Sequence, residues 1–265
     1  MSGRKLLHSK NLILLYKEGK LDRVLKRFKS EISEKNFMGA GTHVATYRYK
    51  GGHQVLKLCP KNIPYFQHFP LQLTSRSHAQ QFKKHINVLS PYLSPVRDIL
   101  YEDEIVFIYT QDTCRRFDIS DMTPKILLKI LKTVNFLIKN NLLLTDLAPN
   151  NFGFLGDDIV LFDYHDLQPL TDDGRQLKTS WWRGIMKNLT RYTSALYAPQ
   201  KSLKYERLME DFTETIIAKF NKDNLLPSWF IKILQYILID RDDVSEVQIY
   251  HLINHGIDRM EKRFG

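Results

Sequence analysis

The sequence predicts an α+β fold in two parts: a small antiparallel sheet of five strands, then a larger, mainly helical region. Three observations carry this. Between residues 36 and 58, and again between 96 and 109, short apolar runs are separated by Gly-rich or acidic turns, which is the pattern of paired strands. From residue 123 onwards, apolar residues recur every three or four positions, the period of helices with one buried face. One interruption, 140–167, alternates short apolar runs with Asp, Asn, Gly and Pro, as a hairpin between loops does.

Taken in order, residues 1–35 form an N-terminal helical extension. Within it Leu21, Val24, Leu25, Phe28 and Ile32 share one face of an amphipathic helix over 21–32. The sheet region is 36–111. Its first two strands flank Gly39-Ala40-Gly41-Thr42, and glycines let backbone N–H groups approach phosphate oxygens without interference from a β-carbon. Lys50-Gly51-Gly52-His53 turns the chain into a third strand, Gln54-Val55-Leu56-Lys57-Leu58. Lys57 is a lone charge in an apolar strand. It either needs a partner or lies on an edge strand and points to solvent. A dinucleotide-binding glycine motif does not fit, because strand and not helix follows the glycines.

Residues 61–70, with two prolines and three aromatics, read as an irregular connector, and 75–89 as a helix stopped by Ser90-Pro91. Residues 96–109 give two strands across a Glu-Asp-Glu turn, and 111–114 form a hinge into the second region, 112–265. Thr123 caps a helix over 123–140 with Pro124 at its first position. Further helices are expected at 190–197, 205–220, 228–239 and 244–264. His251 and His255 are four apart on the last, without the Glu or third ligand of a zinc site, and read as a surface or packed pair.

The interruption holds the chemistry. Leu142-Leu143-Leu144 delivers Asp146; Pro149, Asn150 and Asn151 make a turn; Phe152-Gly153-Phe154 and Ile159-Val160-Leu161-Phe162 form a hairpin that ends at Asp163. Asn151 at its entrance and Asp163 at its exit offer two oxygens for a hard cation. Mg²⁺ takes few protein ligands and completes its shell with water and phosphate. Asp146, one loop upstream, is placed as a general base, and positioning plus charge neutralisation is what phosphoryl transfer requires. The competing reading is that Asp146 and Asn151 are ordinary turn formers.

Leu144-Thr145-Asp146-Leu147-Ala148-Pro149-Asn150-Asn151 resembles the catalytic loop of the protein-kinase-like superfamily, and Phe162-Asp163-Tyr164-His165 resembles its metal-binding Asp-Phe-Gly turn. The strand, Gly-x-Gly, strand, turn and Lys57 strand resemble its glycine-rich loop and phosphate-contacting lysine. The resemblance covers about residues 37–165 and implies a two-lobed fold that binds ATP and Mg²⁺. In it Gly39, Gly41 and Thr42 would cover the phosphates, and Lys57 would contact the α- and β-phosphates. Asn151 and Asp163 would hold Mg²⁺, and Asp146 would accept the proton of the attacking hydroxyl.

The departures from the family pattern point to an atypical member. The helix over 75–89 offers Gln80 or Gln81 where a glutamate would pair with the strand lysine. Ala148 stands in place of a Lys, Asn150 in place of an Arg, and Thr145 in place of the Arg that binds a loop phosphate. With Ala148 and Asn150 at those positions the γ-phosphate lacks its usual local cation unless Arg175 or Lys178 reaches in, and no Ala-Pro-Glu segment follows Asp163. His165 replaces a glycine, which restricts flipping of Asp163. Serine/threonine protein phosphorylation is the leading activity. A small-molecule or sugar kinase of the same fold and a pseudokinase that serves as a binding or scaffold module both stay open. The missing helix glutamate suggests the latter; the presence of Asp146, Asn151 and Asp163 together argues against it.

Composition bounds the rest. With 265 residues, 43% hydrophobic and 26% charged, the chain can bury a full core. No apolar run approaches the roughly 20 residues of a membrane span, and the basic N-terminus has too short an apolar core for a signal peptide. The net charge of +10 attracts nucleotides and acidic segments, but Lys and Arg are scattered and no nucleic-acid motif is present. Two cysteines, Cys59 and Cys114, fit a reducing compartment, cytosol or nucleus. The expected partner is a hydroxyl-bearing substrate, with protein in the lead.

Overall fold

The computed structural model describes residues 7, 9–41, 43–61, 78–144, 146–165, 167–169, 179–198, 218, 222, 223, 226–238 and 246–264. Thr42, Thr145, Arg175, Lys178, the connector beyond residue 61 and nearly all of the helix expected over 205–220 lie outside them. The chain divides into two compact units, Met1–Arg115 with Phe154–His165, and Arg116–Gly153 with Asp166–Gly265. The first unit thus takes in residues 1–35 and 36–111 together with 154–165.

The first unit is built on a five-stranded antiparallel sheet, ordered β1 (Phe37–Ala40), β2 (Ala45–Tyr49), β3 (Gln54–Pro60), β5 (Val106–Asp112) and β4 (Val96–Glu102). These five strands stand where the alternation placed them. β3 and β5 are central and buried almost throughout, because both faces of the sheet are covered. On one face Tyr47, Leu56, Leu58 and Ile108 pack with Leu7, Leu12, Leu15, Leu21, Val24 and Ile32 from the N-terminal segment.

That segment holds α1 (Lys10–Lys17), capped by Ser9, and α2 (Asp22–Arg27). The single helix expected over 21–32 is thus only six residues long. The chain leaves helical geometry at Phe28, and the Asn36 side chain ties down the following turn by donating to the carbonyls of Ser30 (2.9 Å) and Glu31 (3.2 Å). The apolar spacing nevertheless identified the residues that face the core. On the opposite sheet face lies α3 (His78–Val88), whose Phe82 meets Phe107 and Tyr109 edge-on.

In the second unit α4 (Pro124–Lys139) begins at Thr123, whose hydroxyl accepts from Ile126 N–H at 3.3 Å. Leu127, Ile130, Leu131, Val134, Leu137 and Ile138 are buried along it. Asn141 takes a left-handed φ of 56° and turns the chain into β6 (Leu142–Leu144), which pairs antiparallel with β9 (Leu167–Pro169). Between them come β7 (Phe152–Leu155) and β8 (Asp158–Leu161), joined by a turn in which Gly156 has φ +62°. The unit boundary falls inside β7.

α5 (Thr179–Tyr197) starts eleven residues before the expected 190, because Ile185, Met186, Leu189 and Tyr192 extend one buried stripe. α6 (Ser228–Leu238) and α7 (Glu246–Phe264) follow, and α7 packs on α4 with Asn135 Nδ2 donating to Asn254 Oδ1 at 2.9 Å. His251 and His255 are exposed on α7. Among the described residues no helix is long and apolar enough to cross a membrane.

Candidate active site

The candidate residues fall in two groups, one in each unit. In the first unit, Lys57 sits on central β3 and is 3% exposed, so the edge-strand reading does not hold. Strand register sets Lys57 opposite Tyr109, and alternation puts Phe107, Tyr109 and Gln111 of β5 on the same sheet face. All four are buried there, and three of them grip the turn 162–165. Lys57 Nζ donates to the Phe162 carbonyl at 2.7 Å and lies near the rings of Phe162 and Tyr164. The Tyr109 hydroxyl meets His165 Nε2 at 2.8 Å. Gln111 donates to the Tyr164 hydroxyl, which itself donates to the Ser94 carbonyl at 3.1 Å.

Asp163 lies within this frame. Its Oδ1 meets His165 Nδ1 at 2.8 Å, and among the described residues Oδ2 has no hydrogen bond. Burial pushes its pKa up. The positive charge of Lys57, the hydrogen bond from His165, and the fields of His165 and His43 outweigh burial and hold the carboxyl well below the usual carboxylate range. The group is closely enclosed by protein, yet 39% of its side-chain surface still meets solvent. Burial pulls the Lys57 ammonium below its ordinary pKa, and the charge of Asp163 opposes this. α3 carries no acidic residue, so Asp163 supplies the charge that balances Lys57.

The glycine turn is also in this unit. Gly39 is paired with Thr46, and Gly41 N–H donates to the Val44 carbonyl at 2.9 Å, closing the turn. A β-carbon at Gly39 or Gly41 would meet no heavy atom within 4 Å, and neither glycine has a left-handed φ. Neither packing nor backbone conformation therefore requires glycine there. His43, in the same turn, shares a 2.9 Å hydrogen bond with Asn11 of α1.

The second group is Asp146 and Asn151. Asp146 Oδ1 accepts from Ala148 N–H at 3.1 Å, and its backbone carbonyl accepts from Asn151 Nδ2 at 2.9 Å. A 3₁₀ turn over Pro149–Asn151 makes that approach possible. Asp146 is thus a turn former through one oxygen, while Oδ2 has no hydrogen bond among the described residues. Asn151 is 5% exposed and its Oδ1 likewise accepts none among them. The loop is anchored from α5: the Tyr192 hydroxyl donates to the Leu147 carbonyl at 2.6 Å, with Phe117 and Phe152 around its ring. Burial raises the Tyr192 pKa far above its ordinary value, so it remains a neutral donor.

Lys57 with Asp163, and Asp146 with Asn151, are therefore brought together within their own units. Among the described residues no three of His, Cys, Asp and Glu cluster as a metal cage. In the first unit the Asp163 carboxylate, and in the second the Asn151 amide oxygen, are each of the donor type that a hard cation such as Mg²⁺ takes. Tyr109, His43 and Tyr192 were not singled out by the sequence. For Tyr109 the available signal was a polar tip in the apolar run Val106-Phe107-Ile108-Tyr109.

No family model and no curated protein matches this chain.

Proposed function

We propose that this chain is an ATP- and Mg²⁺-dependent phosphotransferase of protein-kinase-like, two-lobed architecture, acting on a hydroxyl group, with serine/threonine side chains of proteins as the leading acceptor. The observation that carries this reading is the buried Lys57 on a central strand, set against an ionised Asp163 that keeps one oxygen unbonded. A charge buried on a central strand is costly, and charges perturbed in this way cluster at functional sites.

In this reading the Lys57 ammonium neutralises phosphate charge beneath the turn at Gly39 and Gly41, where no β-carbon stands in the way of an approaching phosphate. Asp163 and Asn151 would hold Mg²⁺, which when bound supplies charge neutralisation at the phosphates. Asp146 Oδ2 accepts the proton of the acceptor hydroxyl. The acceptor's hydroxyl oxygen then bonds to the γ-phosphorus, and the bond from the γ-phosphorus to the β–γ bridging oxygen breaks, leaving its electron pair on ADP. Tyr192 holds the backbone of this loop from behind.

The test is transfer of radiolabelled γ-phosphate to generic protein acceptors, beside an Asp163→Ala control. Magnesium-dependent labelling that the control abolishes is the expected result. Labelling of sugars, aminoglycosides or lipids in place of proteins would move the acceptor to a small molecule. ATP binding without turnover on any acceptor would leave a binding module, and absence of ATP binding would overturn the reading.

A further inference from the structure

The Tyr109 hydroxyl, the His165 imidazole and the Asp163 carboxylate form an unbroken chain of two 2.8 Å hydrogen bonds. It begins at a fully buried tyrosine on the central strand β5 and passes through an imidazole whose side chain is 4% exposed. It ends at a carboxylate with 39% of its side-chain surface in solvent. Around it the face is aromatic, with Phe82, Phe107 and Tyr164 against Tyr109 and His165. An apolar pair would fill this space without desolvating a hydroxyl and an imidazole, which cost free energy when buried.

Resting on the phosphotransferase reading, we propose that Tyr109 and His165 are positioning residues for the divalent cation of a bound nucleotide. They fix the rotamer of Asp163, so that Oδ1 is held by the imidazole and Oδ2 is left for the metal. The arrangement does not depend on the protonation state of His165. The neutral Nδ1–H tautomer donates to Asp163 and accepts from Tyr109; the imidazolium donates to both. Backbone conformation supports the same role. Among the described non-glycine residues only Lys50 and Asn141 have positive φ, so His165 sits in ordinary geometry and its ring needs no strain to reach either partner. Partners that orient a metal-binding carboxylate characteristically contribute about 10- to 100-fold in metal affinity.

The experiment titrates ATP by calorimetry over a series of Mg²⁺ concentrations, and again in EDTA, with melting temperature recorded for each variant. His165→Ala should raise the Mg²⁺ concentration needed for half-maximal enhancement of ATP binding by about 10- to 100-fold. ATP affinity in EDTA should stay unchanged. Tyr109→Phe, which removes a single oxygen, should move the requirement in the same direction and carries the test if His165→Ala does not fold. His165→Asn should restore most of the loss, because its amide nitrogen occupies the place of Nδ1; His165→Gln, which reaches toward Tyr109 instead, should not.

A wild-type magnesium requirement in His165→Ala or Tyr109→Phe overturns the inference while leaving the phosphotransferase reading intact. So does an equal loss of binding with and without metal that tracks the melting temperature, since that is what a purely structural role gives. If the wild-type chain shows no magnesium-enhanced ATP binding, the phosphotransferase reading fails and this inference fails with it.

Discussion

Lys57 donates to the carbonyl of Phe162 at 2.7 Å, one residue before the carboxylate whose charge it balances. A single side chain thus fixes the main chain of the turn and, with His165, favours the ionised form of its acid. Because β3 is flanked on both sides by paired strands, the position of the ammonium is set by the sheet and not by a flexible stem alone. With no acidic residue on α3, the charge that balances Lys57 comes from the turn 162–165.

Replacing Lys57 by Met keeps length and apolar bulk but removes the charge and the donor to Phe162. ATP affinity measured by calorimetry should fall at least about tenfold, equivalent to about 1.4 kcal/mol. Lys57→Arg should not rescue it, because a planar guanidinium does not fit a site that is 3% exposed. Undiminished ATP binding in Lys57→Met would remove Lys57 from the nucleotide site.

Asp163 gives a pH signature. Its folded pKa is depressed, so the stability it contributes is present above the unfolded value of about 3.9 and is lost as pH falls toward the lower folded value. Below about pH 4 the unfolded chain therefore binds a proton that the folded chain does not. Urea denaturation of the wild type from pH 6 down to pH 3 should show a steeper acid loss than Asp163→Asn, whose amide cannot titrate. Parallel acid limbs would mean that Asp163 is not held ionised by Lys57.

The N-terminal segment should behave as core. Leu12 is fully buried against the sheet, whereas Leu14 on the same helix is 57% exposed. Leu12→Ala should lower unfolding free energy by about 2–5 kcal/mol, and Leu14→Ala should stay within about 0.5 kcal/mol. Chemical denaturation distinguishes them, and equal effects would detach the segment from the sheet.

The two glycines of the turn separate structural from functional need. Gly39→Ala and Gly41→Ala place a methyl group in open space at ordinary φ, so thermal stability should be unchanged or slightly raised. ATP binding should nonetheless weaken, because the methyl group fills space that a phosphate beneath the turn would occupy. If both variants bind ATP like the wild type, the turn does not cover a nucleotide.

What was legible in the sequence was what short-range chemistry encodes. Alternation and turn residues placed all five strands. A lone charge in an apolar run singled out Lys57, and Gly, Asn and Asp clusters marked the loops around Asp146 and Asp163. What was not legible depends on contacts between residues far apart in the chain. The spacing of Leu21, Val24 and Ile32 said that something covers them, without saying that it is β2, β3 and β5. The hydrogen bonds of Tyr109 to His165 and of Tyr192 to the Leu147 carbonyl join segments 56 and 45 residues apart, and no local pattern announces them. The helix at 21–32 ends early, at Phe28, yet the turns that follow still bring Ile32 into the core that the spacing assigned it to.

Asp146 decides between catalysis and architecture. Its Oδ1 already serves the turn by accepting from Ala148 N–H, and an amide oxygen in Asp146→Asn would keep that bond. What the substitution removes is the basicity of Oδ2. A base that acts on the acceptor hydroxyl contributes chiefly in the transition state, so kcat should fall by about 10²- to 10⁴-fold. ATP affinity and melting temperature should remain close to wild type, since the backbone carbonyl that receives Asn151 Nδ2 is untouched. Single-turnover transfer of γ-phosphate, measured beside calorimetric ATP binding, separates the two effects. Transfer at the wild-type rate by Asp146→Asn would reduce Asp146 to a turn former and require another base. A parallel loss of binding and rate would mean that the carboxylate supports the loop and not the chemistry.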